Sequence, residues 1–189
     1  MPLVVVCGPP LSGKTTRSIQ LVEHIKSTRP KITCHLINEE SLALDKHLIY
    51  SNSNEEKKAR SKLISSLERL LDRNSLVIFD SLNYIKGFRY QLYCVARAIG
   101  TLHCLMYCSG NLTAAQESNN SLNRYIPTQL TELYDRFEEP DSFARWDKPL
   151  FRVNPIDSNP PSEQILSSLL DGTAPPPNLS TQIKPTTNL

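Results

Sequence analysis

The run Gly8-Pro9-Pro10-Leu11-Ser12-Gly13-Lys14-Thr15 constrains this chain more than any other stretch. It has the form G-x-x-x-x-G-K-[ST], and its surroundings are those that the form requires. Ahead of it, Leu3-Val4-Val5-Val6-Cys7 is a continuous apolar run, as befits a strand buried on both faces. Behind it, Ile19, Leu21, Val22 and Ile25 recur near helical spacing. A strand, a glycine loop and a helix in that order describe a phosphate-binding loop. Gly8 and Gly13 permit the tight path that turns backbone N–H groups toward an anion. The helix starting near Lys14 adds unpaired N–H groups and its positive dipole end. Lys14 supplies a cation for the β- and γ-phosphates, and the Thr15 hydroxyl a ligand for Mg²⁺. The expected nucleotide contacts are therefore Gly8, Pro9, Pro10, Leu11, Ser12, Gly13, Lys14, Thr15 and Thr16.

A second signature follows at Ser75-Leu76-Val77-Ile78-Phe79-Asp80, where four apolar residues end in a carboxylate. On a strand beside the loop, Asp80 would hold Mg²⁺ through water, so Thr15 and Asp80 are the candidate metal residues. The next residue is Ser81 rather than Glu, which favours the kinase–GTPase branch over enzymes that activate water with a Glu at that position. No N/T-K-x-D motif for a guanine base is visible, which leans to ATP.

Further strands are expected at 32–37, 101–109 and 150–154. Asn38-Glu39-Glu40-Ser41 lies at a strand's carboxyl end, where open α/β sheets bind ligands. Glu39 and Glu40 are either a solvated loop or groups directed at substrate or metal-bound water. Residues 42–53 read as irregular, and Ser53-Asn54-Glu55-Glu56 as a capping box for a helix whose apolar stripe is Leu63, Ile64, Leu67, Leu70 and Leu71. The basic residues of that helix read as a solvated face. The stretch 81–91 is unusually polar-aromatic for a simple connector, and a helix is expected after it, through Leu92, Val95, Ala96, Ala98 and Ile99 to a stop at Gly100. His103 reads as a satisfied histidine of the core or a sheet face.

Residues 110–149 are longer than a plain crossover. A short helix is expected at 112–118, then a polar break, then a helix capped by Thr128 with Leu130, Leu133, Tyr134 and Phe137 along one face. This segment carries Arg124, Arg136 and Arg145 and sits where a lid over nucleotide phosphates would lie. Each arginine is either a lid residue that stabilises phosphoryl charge or a surface residue paired with Asp135, Glu138 or Asp141. A last helix is expected after Ser162. The region 172–189, rich in Pro, Thr and Asn, reads as a disordered tail or linker after a domain at 1–171.

A formal net charge of +2 excludes a strongly basic nucleic-acid binder of the histone kind. The five cysteines form no C-x-x-C pair and fall mostly in apolar segments, which predicts reduced, buried thiols in an intracellular protein. The Met-Pro start with a strand directly behind it gives no sign of a signal peptide, and no apolar run of about 18 residues predicts a membrane span.

Beyond these motifs, MPLVVVCGPPLSGKTT at the start, FDSLNYIKGFRYQLYC at 79–94, and RFEEP, RWD and PLF within 136–151 carry a resemblance that covers 1–171. They resemble the Elongator-associated P-loop ATPase of the killer-toxin-insensitivity family, a relative of O-phosphoseryl-tRNA kinase. The resemblance implies an α/β fold of the kinase-type P-loop NTPase class: a mostly parallel five-stranded sheet, helices on both faces and a helical lid. It implies ATP and Mg²⁺ binding, ATP hydrolysis, a cytoplasmic and nuclear protein, and association with tRNA and the Elongator complex in support of wobble-uridine modification. Carried over, Lys14 and Asp80 are catalytic, and Arg124 and Arg136 fall in the lid region. Family members usually continue into a second, mostly helical domain implicated in tRNA binding, so tRNA contact is expected to need that domain. Three functions remain open: an ATPase, a kinase acting on an aminoacyl-tRNA or small-molecule hydroxyl with Glu39 or Glu40 as base, and a nucleotide-gated adaptor.

Overall fold

The computed structural model describes residues 2–172. The expectation of a tail at 172–189 lies, from residue 173 on, outside the described residues. Strands β1 (Leu3–Cys7), β2 (Thr33–Ile37), β3 (Ser75–Asp80), β4 (His103–Cys108) and β5 (Leu150–Val153) form one sheet in the order β2-β3-β1-β4-β5. All four pairings are parallel, where the sequence predicted a mostly parallel sheet. The chain leaves β1 toward β2 on one side, and returns past β3 to reach β4 on the other. The crevice at the carboxyl ends of β1 and β3 is thus the topological switch point, where such sheets bind ligands.

The middle strands are apolar throughout because both of their faces are covered. Leu3, Val5 and Cys7 pack with Leu63, Leu67, Phe88 and Leu92 of α3 (Ser53–Leu70) and α4 (Lys86–Ile99). Val4 and Val6 point the other way, onto Leu21 and Ile25 of α1 (Lys14–Thr28) and Ile165 and Leu169 of α7 (Ser162–Leu170). Alternation along a strand thereby divides one apolar run between two cores. A third cluster joins the loop after β3 to the segment before β5: Leu82 and Tyr84 pack with Ala115, Tyr125, Leu130 and Leu133.

Several boundaries differ from the sequence expectations. The irregular stretch 42–53 contains a one-turn helix, α2 (Lys46–Ile49), capped by Asp45, whose carboxylate accepts the His47 N–H at 2.9 Å. The cap of α3 is Asn52, not Ser53; its side chain accepts the Glu55 N–H at 2.9 Å. That shift releases Glu56 from capping and leaves it buried. Of the basic residues on α3, Lys57, Lys58, Lys62 and Arg69 are exposed as expected, but Arg60 is half-buried and donates to Glu56 at 3.1 Å. Helix α4 starts at Lys86, so the polar-aromatic stretch from Lys86 to Gln91 is helical rather than a connector. It ends at Gly100, whose φ of 75° suits glycine.

Helix α5 (Leu112–Leu122) runs beyond the expected 118 and ends at Asn123 in the left-handed region. Asn119, in the last turn of α5, is buried and ties down the break that follows: its carbonyl oxygen accepts from Arg124 N and Tyr125 N, each at 3.0 Å, and its amide donates to Tyr125 O at 2.8 Å. Helix α6 (Pro127–Asp135) starts one residue before Thr128, with Pro127 in the first turn and Ile126 at the cap position. Ser162 is likewise the first residue of α7 and not its cap. All five thiols are free; Cys34 and Cys94 are half-buried rather than buried. His103 is buried and donates from Nε2 to the Trp146 carbonyl at 3.0 Å. Burial holds its pKa below the usual histidine value. Among the described residues no helix is long and apolar enough to cross a membrane.

Candidate nucleotide site

The loop between β1 and α1 closes on its own backbone. A Cβ at Gly8 would lie 2.4 Å from the Cys108 carbonyl oxygen and 2.7 Å from Ser12 Oγ, so only glycine fits between β1 and β4. Gly13 turns into the helix with φ 83°, again a glycine conformation. Leu11 also has a positive φ, 57°, a strain the sequence did not announce and one that concentrates at functional loops.

Lys14 is the first residue of α1 and is half-buried; its ammonium donates to Pro9 O at 2.7 Å. Burial lowers its pKa, and the nearby Asp80 charge opposes that shift. Asp80 stands at the end of β3 and accepts from Thr15 Oγ1 at 2.8 Å. Burial raises its carboxyl above the usual range, against the pull of Lys14 and the Thr15 hydrogen bond. A half-buried cation beside a buried carboxylate, each with its charged form disfavoured by burial, is the pattern of a site built for an anion and a cation.

These groups line one cavity with Leu11, Ser12 and Thr16 of the loop and with Glu39, Lys46 and Arg124 from outside it. Ser12 Oγ is buried with no hydrogen-bond partner among the described residues. An unpaired hydroxyl in the loop, lining the same cavity as Lys14, fits a phosphate oxygen. Mg²⁺ fits too: Thr15 and Asp80 offer an oxygen pair, and Mg²⁺ keeps several waters rather than demanding a protein cage. No group of three His, Cys, Asp or Glu that could hold a metal occurs among the described residues.

The predicted residues do not all converge. Pro9 and Pro10 serve through their carbonyls, which accept from Lys14 and, at 3.0 Å, from the Tyr134 hydroxyl. Arg124 reaches the cavity, from the turn between α5 and α6. Arg136 does not line it: it lies 3.9 Å from Glu56 and 5.7 Å from the Tyr84 ring, facing an outer cleft. Neither Arg124 nor Arg145 is within ion-pair distance of Asp135, Glu138 or Asp141 among the described residues. Glu39 and Glu40 separate: Glu40 is exposed, whereas Glu39 is 5 % exposed and accepts from Ser81 Oγ at 2.6 Å. The sequence missed Lys46 because a one-turn helix leaves no periodic pattern.

The family profile described as "Chromatin associated protein KTI12" matches residues 1–189. The chain belongs to this family. The KTI12 homolog of Xenopus laevis is 42% identical over 191 residues, covering 98% of this chain and 67% of that protein. The chain therefore spans about two thirds of that KTI12 relative's length. The crystal structure of Chaetomium thermophilum Kti12 in complex with ADP-AlF3 superposes with a TM-score of 0.81 at 35% identity, covering 92% of this chain and all of that one. The APS kinase CysC of Mycobacterium tuberculosis, 16% identical with a TM-score of 0.56 over 88% of this chain and 94% of that one, shares the fold alone. KTI12 membership and the kinase-like P-loop fold thus agree with the cavity: this is a nucleotide-binding protein.

Proposed function

We propose that this KTI12 chain is a Mg²⁺-dependent ATPase that transfers the γ-phosphoryl group of ATP to water. Its turnover serves the Elongator complex in tRNA wobble-uridine modification, in the cytoplasm and nucleus. Contact with tRNA needs the further third that the longer relatives contain. The observation that carries the reading is the single cavity shared by Lys14, the Thr15–Asp80 pair and the unpaired Ser12 hydroxyl. The Kti12 relative crystallised with ADP-AlF3 supports it, because aluminium fluoride beside ADP imitates a phosphoryl group in flight.

The chain's own residues divide the work. Backbone N–H groups of the loop and the α1 N-terminus bind the phosphate oxygens. Lys14 and Arg124 offset the charge that spreads over the transferring oxygens. Thr15 and Asp80 would hold the Mg²⁺, which supplies charge neutralisation of the phosphates when bound. Glu39, fixed by Ser81, is placed to orient the attacking water and take its proton. Tyr134, bonded to Pro10 O and to Asn111 O at 3.3 Å, holds the lid to the loop and limits access of bulk water.

The kinase reading requires room for an acceptor beside Glu39. The recess there, lined by Glu39, Ser81, Asn83, Tyr84 and Tyr50, has a volume of about 20 Å³. A water needs roughly 10–15 Å³ of such space, so the recess has room for an attacking water, and an acceptor hydroxyl would have to approach through the phosphate cavity that Glu39 also lines. Glu39→Gln is expected to lower phosphate release from ATP by about 100-fold with ATP affinity changed less than about threefold. Glu40→Gln, being exposed, should leave both unchanged. A phosphate-release assay checks both; a Glu39→Gln protein with unaltered turnover contradicts the assigned role.

A further inference from the structure

Helix α2 contributes a cation to the phosphate cavity that neither the loop nor the strands supply. Lys46 is its first residue, and the helix is fixed against the lid at three points. His47 Nε2–H donates to the Asn123 carbonyl at 3.0 Å. The Tyr50 and Tyr125 rings lie 5.9 Å apart. The Lys46 ammonium stands 5.8 Å from the centroid of the Tyr125 ring. Lys46 lines the same cavity as Lys14, Asp80, Glu39 and Arg124. Its charge reaches both Lys14 and Asp80.

Among the described residues no carboxylate lies within 4.0 Å of the Lys46 ammonium. The contrast with other inward-facing cations is plain: Arg89 has Asp147 at 2.8 Å, and Arg60 has Glu56 at 3.1 Å. A half-buried, unpaired cation that repels Lys14 is unfavourable until an anion arrives between them. The loop amides and α1 take the inner phosphates. Lys46 and Arg124 are the cations that line the cavity from outside the loop, together with Glu39, and this leaves them to the terminal phosphoryl group.

We propose that Lys46 is a clamp for the γ-phosphoryl group, held in place by the α2–lid seam and engaged only when a third phosphate, or a group in transfer, occupies the cavity. This rests on the ATPase reading and adds a residue to it. Removing Lys46 should therefore spare ADP, which ends before the clamp, and weaken whatever lies beyond.

Calorimetric titration separates the two. The unsubstituted chain, Lys46→Gln and Lys46→Arg are each titrated with Mg·ADP, and with Mg·ADP plus aluminium fluoride. Lys46→Gln is expected to keep ADP affinity within about twofold and to lose about 10- to 100-fold in affinity for the aluminium fluoride complex and in turnover. Lys46→Arg should recover most of both. The proposal is overturned if Lys46→Gln binds the mimic as tightly as the unsubstituted chain, or if ADP affinity falls in step with the mimic. An unsubstituted chain that gains nothing from aluminium fluoride overturns the ATPase reading and the clamp together, and that failure is distinguishable because no substitution is involved.

Discussion

Lys14→Ala should bind Mg·ATP at least about 100-fold more weakly than the unsubstituted chain, yet melt no lower in nucleotide-free buffer. The first half follows from position: the ammonium is the only cation of the loop itself, half-buried at the start of α1 and lining the phosphate cavity. The second half follows from sign. Burial outweighs the attraction of Asp80 and lowers the Lys14 pKa, so the charged form is less favourable in the folded protein than in water. Deleting that charge removes a desolvation cost, and alanine is a better helix former than lysine at the same place. Asp80 loses a counter-charge but retains the Thr15 hydroxyl at 2.8 Å. Ligand-linked stability then separates the proteins. At ATP one hundred times its dissociation constant the unsubstituted chain gains about 2.7 kcal/mol, or roughly 5–10 °C in Tm, and Lys14→Ala gains at most about 0.4 kcal/mol. Thermal melts with and without Mg·ATP check this; an equal shift in both proteins contradicts it.

Asp147→Ala should cost about 3–5 kcal/mol, a large share of the total stability of an ordinary domain. Asp147 is fully buried in the 3-10 turn Arg145–Asp147 and accepts from Arg89 Nε at 2.8 Å and from Asp141 N at 3.0 Å. Arg89 is 1% exposed and donates from Nη1 to the Asn83 carbonyl at 2.8 Å. Asn83 in turn donates to Val6 O at 2.6 Å, one residue from the end of β1. Removing the carboxylate leaves a buried guanidinium without a counter-charge, and Arg89 Nη2 already has no partner among the described residues. The loss is the cost of an orphaned charge, so replacing both partners should recover most of it: Arg89→Met with Asp147→Leu is expected to be more stable than Asp147→Ala. Denaturant titration checks the pair. An Asp147→Ala protein within about 1 kcal/mol of the unsubstituted chain contradicts the account.

The strands were legible because they are buried on both faces, which leaves an uninterrupted apolar run bounded by polar residues. The loop was legible because Gly8, Gly13 and Lys14 are each demanded by local geometry. Caps were harder. Asn52 and Ser53 are equally able acceptors, and only packing decides which lies one residue outside the helix. The start of α4 was hidden by Lys86, Gly87, Arg89 and Gln91, a polar face that periodicity reads as loop. Arg89 and Glu56 escaped for the opposite reason: composition places such residues in water, and their burial depends on partners 58 and 28 residues away along the chain. The lid arginines could not be ranked from sequence, since helix ends set which one turns inward. Arg124 does so because Asn119, three residues inside α5, organises the turn that carries it.

The most direct test of the central claim is ATP turnover by the purified chain in ¹⁸O-enriched water with Mg²⁺ and no added acceptor. The account predicts equal amounts of ADP and inorganic phosphate, with one solvent oxygen in each phosphate released. ADP formed without inorganic phosphate, or no turnover by a chain that binds Mg·ATP, would contradict it.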